Sequence, residues 1–461
     1  VPGTTYAVSQ RSELIVTDPR TGETVSRVPI ADASTCAEAV KRARAASAAW
    51  ARTPAAERAA ALTAAGGGGG EAADELADLN EQETGKTRDD CLGGVDAGAG
   101  TLVQYAELGP LHRGRSLHGQ WSATDLMVPE PRGVVAVLTP WNDPVAVAAG
   151  LLGAALVSGN TVVHKPSERC PRTGRRFAEL LAAQLPDGVL EIVDGDGAVG
   201  AHLAGAEEVD VVAHVGSSAT GREIARTCAD RGAKVILENG GNDALIVDSD
   251  VSPRWAAEQA AMGAFANAGQ ICVSVERIYV VGAVAEAFTD ALVEEARAWG
   301  ERIGPLVDER QRDVVHQHVT DAVAAGAQVR IGGEPASGPG SFYPPTVLTD
   351  CTPDMLVMRE ETFGPVAPVR VVADFATALE EAAADRYGLA ATVLTRDMVH
   401  AQEAWRSLPV GTVKINAAFG GAPGGASEPR GASGSGFGFG PELLDELTAM
   451  KVVHLAPAPA D

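Results

Sequence analysis

Between residues 134 and 238 the chain keeps returning to one rhythm, a short purely apolar run followed by a stretch with helical spacing. The runs are Val134–Leu138, Thr161–His164, Leu190–Val193, Val209–His214 and Val235–Leu237. Val145–Val157, Thr173–Gln184 and Gly221–Cys228 are the helical stretches among them. A strand with no polar alternation is buried on both faces, and strands joined through helices run parallel. Such a pattern packs as a parallel sheet covered by helices on both sides. The expected fold class is α/β, with a Rossmann-like parallel-sheet domain here and a second α/β unit from about 241 to 420. At 461 residues the chain has room for two or three domains.

The flanks read less regularly. Residues 11 to 30 suggest two short strands around the turn Asp18-Pro19-Arg20-Thr21-Gly22. Ala33–Trp50 is an Ala-rich helix, and Thr53-Pro54 caps the start of another. That helix meets Gly66 to Gly70, where five glycines in place of alanines cost about 5 kcal/mol of helix propensity. A linker is the ordinary expectation for such a run, although helical patterning resumes at Glu71. Gly114 to Pro131 alternates loosely. The Gly-rich stretch Gly431 to Gly440 leads into a last helix and the strand Lys451 to Leu455. Only three residues, Gly300 to Arg302, join a helix ending at Trp299 to the element Ile303-Gly-Pro-Leu306.

Charge and cysteine usage exclude several functions. There are 61 acidic and 37 basic residues, a formal charge of −24. That argues against nucleic acid or an anionic membrane surface as partner. No apolar run reaches the eighteen residues a membrane span needs, and Val1-Pro2-Gly3-Thr4 carries no secretion-signal pattern. Six scattered cysteines without a C-x-x-C point to a reduced, cytoplasmic protein. His316 and His318 lie two apart on a helical stretch and face different ways, so they read as surface residues, and no metal site is expected.

Four stretches carry candidate chemistry. Phe265-Ala-Asn-Ala-Gly-Gln-Ile-Cys272 places one thiol just after a glycine turn. Its backbone N–H is then free to point at whatever the sulfur attacks, as acyl-type chemistry requires. A lone cysteine is more often core packing, and the neighbouring motifs decide against that here. Asn142, in Leu138-Thr-Pro-Trp-Asn142-Asp-Pro144, offers an uncharged amide donor for an oxyanion, or a turn-forming side chain. Glu238 ends an apolar strand before Gly240-Gly241, where partial desolvation raises a carboxyl towards the range of a general base. Val215-Gly216-Ser217-Ser218-Ala-Thr-Gly221 is a strand-to-helix turn suited to a pyrophosphate. Gly195-Asp-Gly-Ala-Val-Gly200 fits the dinucleotide fingerprint, yet Asp196 would repel a pyrophosphate. Residues 81 to 87 end like a P-loop but lack its first glycine and preceding strand.

Together with Glu360-Glu361-Thr-Phe363-Gly-Pro365 and Val163-His-Lys165-Pro-Ser167-Glu168, these motifs resemble the NAD(P)-dependent aldehyde dehydrogenase family over nearly the whole chain. The resemblance implies a non-acylating enzyme that oxidises an aldehyde through a Cys272 thiohemiacetal and thioester. Asn142 and the Cys272 N–H would hold the oxyanion, and Glu238 would activate water. NAD as cofactor would be bound by Trp141, Lys165, Ser167, Glu168, Gly216, Ser217, Glu361 and Phe363. A carboxylate on the adenosine ribose, Glu168, favours NAD over NADP. The implied domains are 1–113 with 133–240 for NAD, 241–440 for catalysis, and 114–132 with 441–461 as a β oligomerisation arm. A homodimer or homotetramer follows. Asn416 resembles a structural asparagine below the site. Departures from the family are His214-Val215 for an aromatic and a threonine, Asn239 for an apolar residue, Lys414 for an aromatic, and a shortened loop at Gly300. Small residues at Val147, Gly150 and Ala266 leave room for a bulky aldehyde. The competing functions are a CoA-acylating relative (these typically lack the glutamate), a cysteine hydrolase, and a silent dinucleotide-binding scaffold.

Overall fold

The computed structural model describes residues 12–67, 69–421 and 425–458. Its first large sheet has six strands in the order Gly434–Ser435, Lys234–Glu238, Val211–Val215, Val134–Leu138, Thr161–Lys165 and Leu190–Ile192. All pairings are parallel except that of Gly434–Ser435, a late segment laid antiparallel along the edge. The strands at 134 and 211 are neighbours from which the connections run in opposite directions. Ligands of open parallel sheets sit at such a reversal, beyond the carboxyl ends of the strands. Both faces are filled. Leu152, Leu156 and Tyr105 pack on one, and Val40, Leu203 and Ile224 on the other.

The second large sheet runs Gln328–Ile331, Thr346–Thr349, Val366–Val372, Val275–Val281, Asp243–Val247, Ala390–Leu394 and Thr412–Ile415. Only its first pairing is antiparallel. The alanine-rich helix Pro253–Phe265 buries Ala256, Ala257, Ala260, Ala261 and Ala264, and small side chains bring it close to this sheet. A three-stranded antiparallel sheet joins Arg115–Leu117, Thr124–Pro131 and Thr448–Leu455, so the two ends of the expected arm pair with each other.

Several expectations change. On both sides of position 68 the glycines are helical: one helix extends from Ala55 to Gly67 and the next from Gly69 to Thr84. Position 68 and the side chains of 68–71 lie outside the description. The Gly195–Gly200 motif is the start of a helix, Gly197–Gly205, with the Asp196 carboxylate accepting from the Ala198 N–H at 2.9 Å. The short connection after Trp299 closes as a turn, with the N–H groups of Arg302 and Ile303 both donating to the Trp299 carbonyl. His316 and His318 are half-buried and tied to the Tyr343 and Thr362 hydroxyls at 3.3 and 3.1 Å. No group of three or more metal-ligating side chains occurs among the described residues. No helix among them is long and apolar enough to cross a membrane.

Candidate active site

The turn before Cys272 carries the longest run of left-handed backbone among the described residues. Asn267, Ala268 and Gly269 follow one another with φ of 49, 54 and 73°. Left-handed backbone costs a residue with a Cβ about 1–2 kcal/mol. Gln270, buried to 2 % exposure, holds the turn together. Its amide donates to the Asn267 and Pro305 carbonyls at 3.1 and 3.4 Å and accepts from the Val307 N–H at 2.9 Å. Gly269 is required twice over, because a Cβ there would also collide with the Gly364 carbonyl. The turn therefore backs directly onto the Glu361–Pro365 loop.

Cys272 emerges from this turn as the one thiol of six that is not buried. Burial on its other sides, then the carboxyls of Glu238, Asp243 and Glu361, push the thiol up to about 12. The Cys272 N–H and the Asn142 side-chain amide make no hydrogen bond among the described residues. Asn142, Glu238 and Cys272 line one cavity of about 720 Å³. Burial raises the Glu238 carboxyl to about 7. Gly438 makes room for it, since a Cβ there would overlap the carboxyl group. The next residue, Asn239, donates to the Ala432 carbonyl at 3.2 Å, and its N–H bonds the Ser433 carbonyl at 2.9 Å. The polar departure from the family thus anchors the end of the Glu238 strand to the late segment.

The same cavity takes in every residue expected at a cofactor. Lys165 donates to the Pro166 and Gly195 carbonyls at 3.0 and 2.9 Å and reaches the Glu168 carboxylate at 3.4 Å. Burial alone would raise Glu168, but Lys165 and Arg169 leave it below the usual carboxylate range, hence ionised. Gly216 and Ser217 open the helix Ser218–Arg231, whose first turn Ser217 caps through the Thr220 N–H at 3.3 Å. Trp141 stands edge-on to Phe363 at 5.5 Å, with the Arg169 guanidinium 5.1 Å over its ring. Glu361 accepts from the Gly241 N–H at 3.0 Å, and Gly240 is needed because a Cβ would strike its carboxylate. The carboxylates of Glu168 and Glu361, a helix N-terminus and the aromatic rings of Trp141 and Phe363 around one space fit a dinucleotide.

Three features lie beyond the sequence reading. Glu276, fully enclosed, accepts the Thr362 and Phe363 N–H groups at 3.0 Å each and fixes Phe363 at φ 52°. Lys86, in the discounted P-loop fragment, is 3.9 Å from Asp143 beside Asn142. The room expected at Gly150 is taken by Phe439, whose ring lies 3.5 Å from where a Cβ would sit. Asn416, for its part, exchanges two 2.9 Å bonds with the Thr395 backbone.

A model of the aldehyde dehydrogenase family matches residues 6–453. The chain belongs to that family. Among its relatives is a probable succinate-semialdehyde dehydrogenase [NADP(+)] of Sinorhizobium fredii, 35 % identical over 88 % of this chain and 85 % of the relative. A 3,6-anhydro-alpha-L-galactose dehydrogenase of Streptomyces coelicolor is 36 % identical over 98 % of this chain and 94 % of that one. The crystal structure of lactaldehyde dehydrogenase from Escherichia coli superposes with a TM-score of 0.93 at 33 % identity, covering 97 % and 96 % of the two chains. As an aldehyde dehydrogenase, the protein oxidises an aldehyde to the carboxylic acid with a nicotinamide dinucleotide.

Proposed function

We propose that Cys272 is the nucleophile of this aldehyde dehydrogenase, that Asn142 and the Cys272 N–H hold the oxyanion, and that Glu238 is the base. The observation carrying this reading is the convergence, in one cavity, of the only unburied thiol, two unengaged donors and a carboxyl raised to about 7. Addition of the thiolate to the aldehyde carbon gives a thiohemiacetal whose oxygen the two donors stabilise. A nicotinamide dinucleotide held against Trp141, Glu361 and Phe363 would supply the hydride acceptor that turns the thiohemiacetal into a thioester. Glu238 then takes a proton from water as it attacks the thioester, releasing the acid and restoring the thiol.

The cofactor we propose is NAD. Glu168, ionised at the adenosine end, would face the dianionic 2′-phosphate of NADP. Lys165, Ser167, Gly216 and Ser217 serve the adenosine half, and Trp141, Glu361 and Phe363 the nicotinamide half. Residues 1–113 with 133–240 are proposed as the cofactor domain and 241–440 as the catalytic domain. Exposed Val452 and Leu455 on the three-stranded sheet support an oligomerisation arm, hence a homodimer or homotetramer, read by light scattering. The site is tested by following NADH absorbance across aldehydes of graded size. The wild type should turn over at least one of them, and Cys272→Ala none. Turnover by Cys272→Ala equal to wild type would refute the assignment.

A further inference from the structure

One side chain in the cofactor cavity has no structural explanation. His214 is 8 % exposed, and neither ring nitrogen has a partner among the described residues. A buried polar group left unmatched costs about 1–3 kcal/mol, so it calls for a ligand. The register shows where that ligand lies. Lys165, Leu138, His214 and Leu237 are in-register neighbours on four adjacent parallel strands, so their side chains share one face at the carboxyl edge. His214 is therefore on the Lys165–Glu168 side of the sheet, opposite the face to which Glu238 and Val215 belong. Its ring also lies against Gly216, just before the helix Ser218–Arg231, because a Cβ on Gly216 would come within 2.7 Å of it.

Resting on the dinucleotide reading above, we propose that His214 is a cofactor ligand. Its ring donates a hydrogen bond to the adenosine half at the junction of ribose and phosphate, and takes up a solvent proton as the phosphate arrives. Neither Lys165, spent on two carbonyls and Glu168, nor Ser217, spent on its helix cap, offers that donor. Burial and the Lys165 ammonium hold free His214 down to about 4, and the adjacent Ser217 backbone and then Glu168 act the other way. Glu223 of the overlying helix, Arg169 and Arg310 are the other charged groups around the same space. A bound phosphate adds negative charge beside the ring and draws its pKa back towards neutrality.

ADP-ribose, whose pyrophosphate does not titrate near neutral pH, is the probe. Calorimetric titration at pH 6.5 in two buffers of different ionisation enthalpy reads both affinity and protons taken up. The wild type should take up a measurable fraction of a proton more than His214→Phe, which should bind about tenfold more weakly. Comparing the proteins cancels any proton taken up by Glu361, which both share. His214→Gln, a donor that does not titrate, should recover part of the affinity and none of the extra proton uptake. It also carries the test if the phenylalanine variant fails to fold. Equal affinity and equal proton uptake in the wild type and the folded variants would overturn the proposal. A wild type that binds ADP-ribose, NADH and NADPH not at all would remove the cofactor reading and this inference together.

Discussion

Glu238→Gln separates the two halves of the reaction. With the carboxyl raised to about 7 by burial, the base is ionised in roughly one molecule in ten at pH 6 and nine in ten at pH 8. Steady-state turnover should therefore climb close to tenfold between those values, rising with pH because the active form is the carboxylate. The amide cannot titrate, so in the variant that rise disappears. A positioned base is worth about 10²–10⁴-fold, and this loss should fall on thioester hydrolysis, since hydride transfer needs only the thiolate, the oxyanion donors and the cofactor. Stopped-flow NADH absorbance should show a burst of up to one equivalent per site, then slow turnover. An added thiol or amine that takes the acyl group should speed the slow phase. Loss of the burst as complete as in Cys272→Ala would mean that Glu238 acts before hydride transfer. The carboxyl would then be the group that deprotonates a thiol lying near 12, and the assignment to hydrolysis would fail.

Other expected outcomes follow from single contacts. Wild-type kcat/KM should favour NAD over NADP, and Glu168→Ser should narrow the gap; equal values in the wild type would contradict the role of that carboxylate. Gln270→Ala removes the brace on three left-handed residues and should lower kcat about 10–100-fold with little change in cofactor KM, as steady-state kinetics would reveal. Phe439→Ala reopens the space at Gly150 and should raise kcat/KM for aromatic aldehydes relative to acetaldehyde; an unchanged ratio places the substrate elsewhere.

The elements that position the site were legible wherever local pattern decides structure. The apolar runs at 134, 161, 190, 211 and 234 appear as strands within two residues of expectation. Cys272, Asn142 and Glu238, far apart in sequence, share one cavity as the motif order implied. What escaped depends on partners distant in the chain. Nothing near Gln270 announces Pro305 and Val307, and nothing near Glu276 announces Thr362 and Phe363. Phe439 fills Gly150's space from nearly three hundred residues away, which no pattern around Pro144 can show. The helix Gly197–Gly205 was hidden because its glycines imitate a phosphate loop, while Asp196 serves as its cap. The glycine run before Glu71 shows the reverse, a poor local propensity overridden by the helices on which its neighbours pack.

The antiparallel edge strand Gly434–Ser435 has a bearing on how the protein matures. It covers the strand of Glu238, while Ala432 and Ser433 secure Asn239 and Gly438 receives the carboxyl. On the ribosome these residues follow the nucleophile by roughly ten to thirty seconds at common elongation rates of about 5–20 residues per second. During that interval the nascent chain can already hold a folded sheet and an exposed thiol, but the base has neither its edge partner nor its seat. With Cys272 and Glu238 in the roles proposed, competence for hydrolysis would wait on residues 432–438, so chains cut short of residue 430 would retain the nucleophile without the finished machinery to release an acyl group.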